Sequence, residues 1–131
     1  MIYELEHKVL PEEVDAFQVV NFSNYLRWCS MTFIHYLESV GLDVRFNNGD
    51  TEFRVARLNV NYVASARLND VAKISICSFK KMRNKLEIHL VIAMEGKVLT
   101  RAKMAIAFVQ SCNSQLTFIP EELAKVLEKA S

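Results

Sequence analysis

Within "EEVDAFQVVNFSNYLRW", residues Glu12 to Trp28, a carboxylate and the start of a helix stand close enough in sequence to act on one group. Asp15 precedes the apolar pair Val19 and Val20, Asn21 follows, and from Phe22 the pattern turns helical. An Asn just ahead of such a pattern is a good N-cap, which predicts that the first-turn amides of Phe22, Ser23 and Asn24 lack intrahelical acceptors. Those N–H groups sit at the positive end of a helix dipole and suit an oxygen on which negative charge develops. One such donor is worth about 3 kcal/mol in a transition state. Asp15 lies one turn of chain ahead of the helix, near enough to attack a carbonyl or to activate a water against it, and the sequence leaves both open. Taken alone, an Asp before a helix is most often a cap or a solvated turn residue. The surrounding elements have to decide.

From Phe22 the apolar residues Phe22, Leu26, Cys29, Phe33, Leu37 and Val40 recur at three- and four-residue steps. Tyr25, Trp28, Thr32 and Tyr36 form an adjoining stripe, leaving a narrow polar edge around Arg27, Ser30 and Glu38. Such a helix is expected to be buried on most sides, with Gly41 as its C-terminal cap. The aromatic stripe reads as core rather than as a binding platform. Ahead of the helix, "IYELEHKVL" reads as a first strand ending at Pro11. After the "NNGD" turn, "TEFRVARLNVNYV", "DVAKISICSF", "KLEIHLVIAM" and "KVLTRAKMAIAFV" alternate with period two. The short connections "KKMRN" and "EG" make the later strands antiparallel. A last amphipathic helix starts at Pro120 and carries Leu123, Val126 and Leu127. The expected fold is α+β: one antiparallel sheet wrapped around one long helix, with a short C-terminal helix. Residues 1–131 form a single domain, since no linker, repeat or low-complexity stretch interrupts them.

Composition removes several classes of function. A formal net charge of +1 over 131 residues gives no footprint for nucleic acid. No apolar run is long enough to span a bilayer, and "MIYELEHKVL" lacks the apolar centre of a signal peptide. Cys29, Cys77 and Cys112 are odd in number and set in apolar segments, as expected of reduced thiols in a cytoplasmic protein. His7, His35 and His89 have no partner at metal-ligand spacing, so no metal is expected. The run from Lys80 to Lys85, "KKMRNK", reads as a hairpin tip. Its charges are either solvated or placed to meet phosphates, with Arg83 and Lys85 the candidates.

With these elements in place, "DAFQVVNFSNYLRW" resembles the active-site segment of the 4-hydroxybenzoyl-CoA thioesterase family of the hotdog-fold superfamily. That family's pattern is an Asp, a Gly three residues on, an apolar pair, then Asn-Tyr with aromatic and basic residues. Asp15, Val19, Val20, Asn24, Tyr25, Arg27 and Trp28 fall in register. "VNYVASARLND" is similar to a second family segment through Tyr62, Ala66, Arg67 and Asp70, and "IPEEL" to the opening of the family's C-terminal helix. Gln18 stands in place of the usual Gly, a substitution expected to reshape the turn or narrow the pocket. Ser65 stands where Pro is common, Phe22 where some members have His, and Ser30 where some have a second acid. Any carboxylate chemistry in this segment would therefore fall to Asp15.

The resemblance implies a thioesterase acting on acyl-CoA or acyl carrier protein, with coenzyme A or phosphopantetheine arriving as part of the substrate and no separate cofactor. Asp15 would be nucleophile or general base, and the Phe22 and Ser23 amides would polarise the carbonyl. Gln18, Val19, Asn21, Asn24 and Tyr25 would line the substrate, with Arg83 and Lys85 at its phosphates. It also implies a site at a subunit interface, hence a homodimer or a dimer of dimers. The segment "NYLRW" resembles carrier-protein thioesterases of polyketide synthesis as well, although those often lack the Asp. A non-catalytic thioester-binding protein is the alternative that Gln18 raises, and a hydratase is disfavoured because its Asp-x-Asn-x-x-His-like motif is missing.

Overall fold

The structure is a computed structural model that describes residues 1–130. Its elements are β1 (Tyr3–Lys8), α1 (Ser23–Ser39), β2 (Arg45–Phe46), β3 (Thr51–Tyr62), β4 (Val71–Lys81), β5 (Lys85–Met94), β6 (Lys97–Gln110), β7 (Leu116–Thr117) and α2 (Glu121–Ala130). The strands form one antiparallel sheet in the order β1-β4-β5-β6-β3-β2, with β7 pairing the end of β6. The expected α+β architecture, with a sheet around a long helix and a short terminal helix, is what the chain adopts.

Period-two alternation explains which side of the sheet meets the helix. Ala72, Ile74 and Ile76 of β4, Leu86, Ile88, Leu90 and Ile92 of β5, and Ala102, Met104 and Ile106 of β6 are buried. They join Tyr25, Trp28, Cys29, Phe33, Tyr36 and Leu37 of α1 in one core. Each large side chain fully buried this way contributes about 1.5–3 kcal/mol. The buried stripe of α1 is the one through Tyr25, Trp28, Thr32 and Tyr36, joined by Cys29, Phe33 and Leu37. Phe22 and Leu26, expected on the inner face, remain 60% and 41% exposed, so the helix keeps an apolar outer flank at its N-terminal end. The helix ends as expected at Gly41, with φ +82°: Leu42 N–H reaches Leu37 C=O at 2.8 Å and Gly41 N–H reaches Glu38 C=O at 3.1 Å. This is the six-to-one and five-to-two pairing of a Schellman motif.

Three β-bulges break the alternation that the sequence suggests is continuous. One falls between Val55 and Arg57 in β3, one between Ile76 and Ser78 in β4, and one opposite Ile92 and Ala93 of β5, where β6 carries the extra Leu99. Each adds a residue on one strand and re-aims the side chains beyond it. Arg57, Asn59 and Asn61 consequently lie opposite Ala105, Lys103 and Arg101, on the outer side of the sheet. Beyond the two residues paired with β2, the outer edge of β3 has no partner strand among the described residues.

Candidate active site

Between β1 and α1 the chain makes a small hairpin that carries most of the candidate residues. A single 3-10 turn over Pro11–Glu13 leads into it. Asp15 N–H donates to Val19 C=O at 2.9 Å, Val14 and Val20 bridge, and Asn21 N–H donates to Glu13 C=O at 2.8 Å. The tip is closed by Gln18 N–H to Asp15 C=O at 3.0 Å. The hairpin is then fixed to the segment before β4 by Val20 N–H to Ala66 C=O at 2.9 Å and Leu68 N–H to Gln18 C=O at 3.2 Å. The two stretches singled out from sequence, around Asp15 and around Arg67, thus lie side by side.

Asp15 is exposed at the tip. Its Oδ1 accepts Phe17 N–H at 2.8 Å and Val19 N–H at 3.4 Å, an Asx turn that fixes the carboxylate's direction. Its Oδ2 has no hydrogen-bond partner among the described residues. One oxygen is anchored and the other is open to a ligand or a water.

Gln18 has φ +65°, so it takes the left-handed backbone that a glycine would supply. The tip's hydrogen bonds, Gln18 N–H to Asp15 C=O and Leu68 N–H to Gln18 C=O, hold it in that conformation.

The start of α1 departs from expectation in one respect. Asn21 does not cap it with its side chain, and the residue before the helix, Phe22, is itself helical at φ −53°, ψ −39°. Asn24 N–H donates to Asn21 C=O at 3.0 Å and Tyr25 N–H to Phe22 C=O at 3.1 Å, a tight 3-10-like first turn. The Asn24 amide is therefore engaged. The amides of Phe22 and Ser23 have no acceptor among the described residues. Asn21 lies two residue pairs below Asp15 on the hairpin, about 7 Å along the strand. A carboxylate oxygen and two unpaired N–H groups therefore share one exposed end of the molecule.

Beneath this surface lies a group the sequence reading missed. Glu13, given no role from the sequence, is completely buried. Its Oε1 accepts from His7 Nε2 at 2.8 Å and from Leu10 N–H at 2.9 Å. Its Oε2 accepts from Arg27 Nη2 at 2.5 Å and from Trp28 Nε1 at 2.7 Å. Burial alone pushes its carboxyl pKa up, but the Trp28, Leu10, His7 and Arg27 donors outweigh it and hold the pKa at about 2. Its C=O also receives Asn24 Nδ2 at 3.1 Å besides Asn21 N–H. Glu13 thus joins β1, the hairpin and the first two turns of α1. The clue in the sequence was Trp28, since a buried indole N–H needs an acceptor.

The remaining candidates divide by position. Val19 is half-buried and pairs with Arg67. Asn24 spends its side-chain amide on Glu13 and Asn21 carbonyls, which makes it a brace of the hairpin. Tyr25, expected to line the substrate, is fully buried, its ring edge-on to those of Phe22, Trp28 and Tyr62, so it supports the site from the core. Arg83 and Lys85 lie at the far end of β4 and β5, about 30 Å of strand from the Asp15 hairpin in the same subunit. Arg83 stacks on Phe118 at 5.4 Å, whereas Lys85 faces a groove on the outer side of the sheet. Cys29 is buried in the core, which pushes its thiol up to about 12 and leaves it unreactive. Among the described residues no three His, Cys, Asp or Glu side chains converge as a metal site, and no helix is long and apolar enough to cross a membrane.

The sequence profile of the Thioesterase-like superfamily matches residues 9–127. The chain belongs to that superfamily. Its hotdog fold is shared with a hypothetical protein from Thermus thermophilus, at TM-score 0.89 and 22% identity, covering 98% of this chain and 99% of that one. A 1,4-dihydroxy-2-naphthoyl-CoA thioesterase from Synechocystis superposes at TM-score 0.84 and 17% identity, over 95% of this chain and 94% of that one. A Staphylococcus aureus protein solved in complex with CoA matches at TM-score 0.86 and 15% identity, over 98% of this chain and 82% of that one. As a thioesterase-like protein, the chain has its open carboxylate and unpaired amides within the matched segment, which begins at Val9.

Proposed function

We propose that the protein hydrolyses an acyl thioester, delivered on coenzyme A or on a carrier protein's phosphopantetheine, to free acid and thiol. The observation that carries this reading is the placing of the free Oδ2 of Asp15, on the exposed hairpin, ahead of the unpaired amides of Phe22 and Ser23 at the start of α1. A thioester carbonyl resting on those two amides would have its developing negative charge met by fixed dipoles. By one route Asp15 Oδ2 would attack the carbonyl carbon and expel the thiolate, and water would then cleave the resulting acyl–aspartyl anhydride to free acid and Asp15; by the other it would take a proton from an attacking water and pass it to the departing thiolate. The superfamily and the CoA complex of the Staphylococcus aureus relative support acyl-CoA as one source of the thioester. No cofactor is needed, since the pantetheine belongs to the substrate. Three free cysteines suit a reducing cytoplasm.

We further read the functional unit as a homodimer or a dimer of dimers. The unpaired edge of β3 ends at Tyr62, beside the site, where Phe17, Phe22 and Val63 are 80%, 60% and 61% exposed. An open strand edge next to exposed aromatic rings is costly unless another chain covers it. Thiol release from a panel of aliphatic and aromatic acyl-CoA and acyl-carrier thioesters tests the activity. At least one should be turned over well above its spontaneous rate, and no release from any member would overturn the reading. Light scattering at micromolar concentration should show a dimer or tetramer, whereas a monomer would remove the shared site.

A further inference from the structure

The outer side of the sheet carries a cationic trough that the proposed chemistry does not use. Two adjoining grooves form it. One is lined by Arg57, Lys85, Glu87, Lys103 and the small residues Ala56 and Ala105, the other by Asn59, Asn61, His89, Arg101 and Lys103. Strand register sets the order along it: Arg101 opposite Asn61, Lys103 between Asn59 and His89, Ala105 between Arg57 and Glu87, and Ala107 between Arg54 and Lys85. Successive rows are two residues apart, so the rows span about 20 Å. Glu87 pairs with Lys103 and His89, and Glu52 pairs with Arg54. Arg57, Lys85 and Arg101 have no carboxylate partner among the described residues. This concentration of charge stands out in a chain of formal net charge +1.

Several occupants are disfavoured by the trough's own chemistry. A second copy packed face to face would set these cations against each other. No Phe, Tyr or Trp ring lines the grooves and the His89 imidazole is engaged by Glu87, so a nucleotide would find charge for its phosphates but a poor platform for its base. A row of cations about 7 Å apart over an alanine floor instead matches a helix with carboxylates one turn apart on a single face, of which about 13 residues fill 20 Å. The Arg101 end of the trough adjoins Thr100 and Tyr62, and the Tyr62 ring touches Tyr25 at the start of α1. A partner docked here would hold a flexible arm beside the Asp15 hairpin.

We propose that this trough docks an acidic helix of a carrier protein that presents its acyl group on a pantetheine arm; naming the partner a carrier protein rests on the thioester reading above. Complementary charge on an exposed face chiefly speeds and orients encounter, and it weakens with salt. The test compares wild type with Arg57→Glu/Arg101→Glu, and with Lys125→Glu/Lys129→Glu on α2 as a control for equal charge change. Binding of a fatty-acid acyl carrier protein in its apo form, which has no arm, should weaken about tenfold or more in the trough variant and little in the control. Since no hydrolysis is involved, this result stands or falls apart from the catalytic proposal. Hydrolysis of the acyl-carrier thioester should fall in parallel, while a short acyl-pantetheine thioester is turned over as by wild type, which also shows that the variant is folded. Should the variant misfold, Arg57→Gln/Arg101→Gln supplies the same comparison with a smaller loss. Equal binding by trough variant and control would overturn the proposal. So would an equal loss with acyl-CoA, which would make the trough a nucleotide subsite.

Discussion

Glu13 and Asp15 stand two residues apart in one loop and meet opposite surroundings. Glu13 is sealed from water with four donors on its two oxygens, while Asp15 is exposed with two backbone amides on one oxygen and none on the other. A carboxylate with every lone-pair direction committed holds structure together and has nothing left for a substrate. One that is anchored on one side only can keep its direction and still react. The open half of the loop is shaped by the committed half, since the Glu13 carbonyl holds both Asn21 and Asn24.

That contrast can be broken from either side. The largest effect is expected at Glu13. Glu13→Gln keeps the shape but turns an amide N–H₂ toward donors, and should cost about 3 kcal/mol of stability because a buried ion pair loses its charge. Chemical denaturation measures this. A loss below about 1 kcal/mol would mean the four contacts are incidental. Acidification should act on the same residue. The folded pKa of about 2 lies below the ordinary 4.5, so the Glu13 contribution is complete above pH 4.5 and is lost as pH falls from there toward 2. It amounts to about 3 kcal/mol over that span. A melting temperature that held steady from about pH 5 to about pH 2.5 would contradict the depressed pKa.

The smallest effect is expected at the tip. Gln18→Gly should raise stability by up to about 1 kcal/mol, since glycine adopts the left-handed backbone without the side-chain clash, partly offset by a looser unfolded chain. Turnover should stay within about twofold, because hydrogen bonds rather than the Gln18 side chain shape the turn. A fall in stability would show that the Gln18 side chain makes a contribution of its own.

The sequence was legible where structure is local and periodic. The strands from β3 to β6, the helix from about Phe22 and its glycine cap at Gly41 follow from spacing alone. The state of the helix's first turn does not, since Asn21 leaves it uncapped and the Asn24 amide is engaged. The Glu13 cluster was not legible, because its partners stand six, fourteen and fifteen residues away and leave no repeat. Nor were the bulges at Ala56 and Cys77, since an inserted residue in an alternating strand looks like continued alternation. Apolar periodicity assigned Phe22 and Leu26 to the core, whereas the fold leaves them outside, where only a second chain or a substrate would cover them. The cationic trough depends on the β3 bulge, which sets Arg57 opposite Ala105, and so it appears only in three dimensions.

The central claim is that the free oxygen of Asp15 acts on a carbonyl held by the Phe22 and Ser23 amides. Asp15→Asn retains the Oδ1 acceptor for the Phe17 and Val19 amides, so the hairpin should keep its shape while losing the nucleophile or base. Thiol release with the best thioester of the panel should drop by about 100-fold or more in kcat, with a melting temperature like that of wild type. An Asp15→Asn variant that turned over thioester at a near wild-type rate would take Asp15 out of the chemistry and contradict the account.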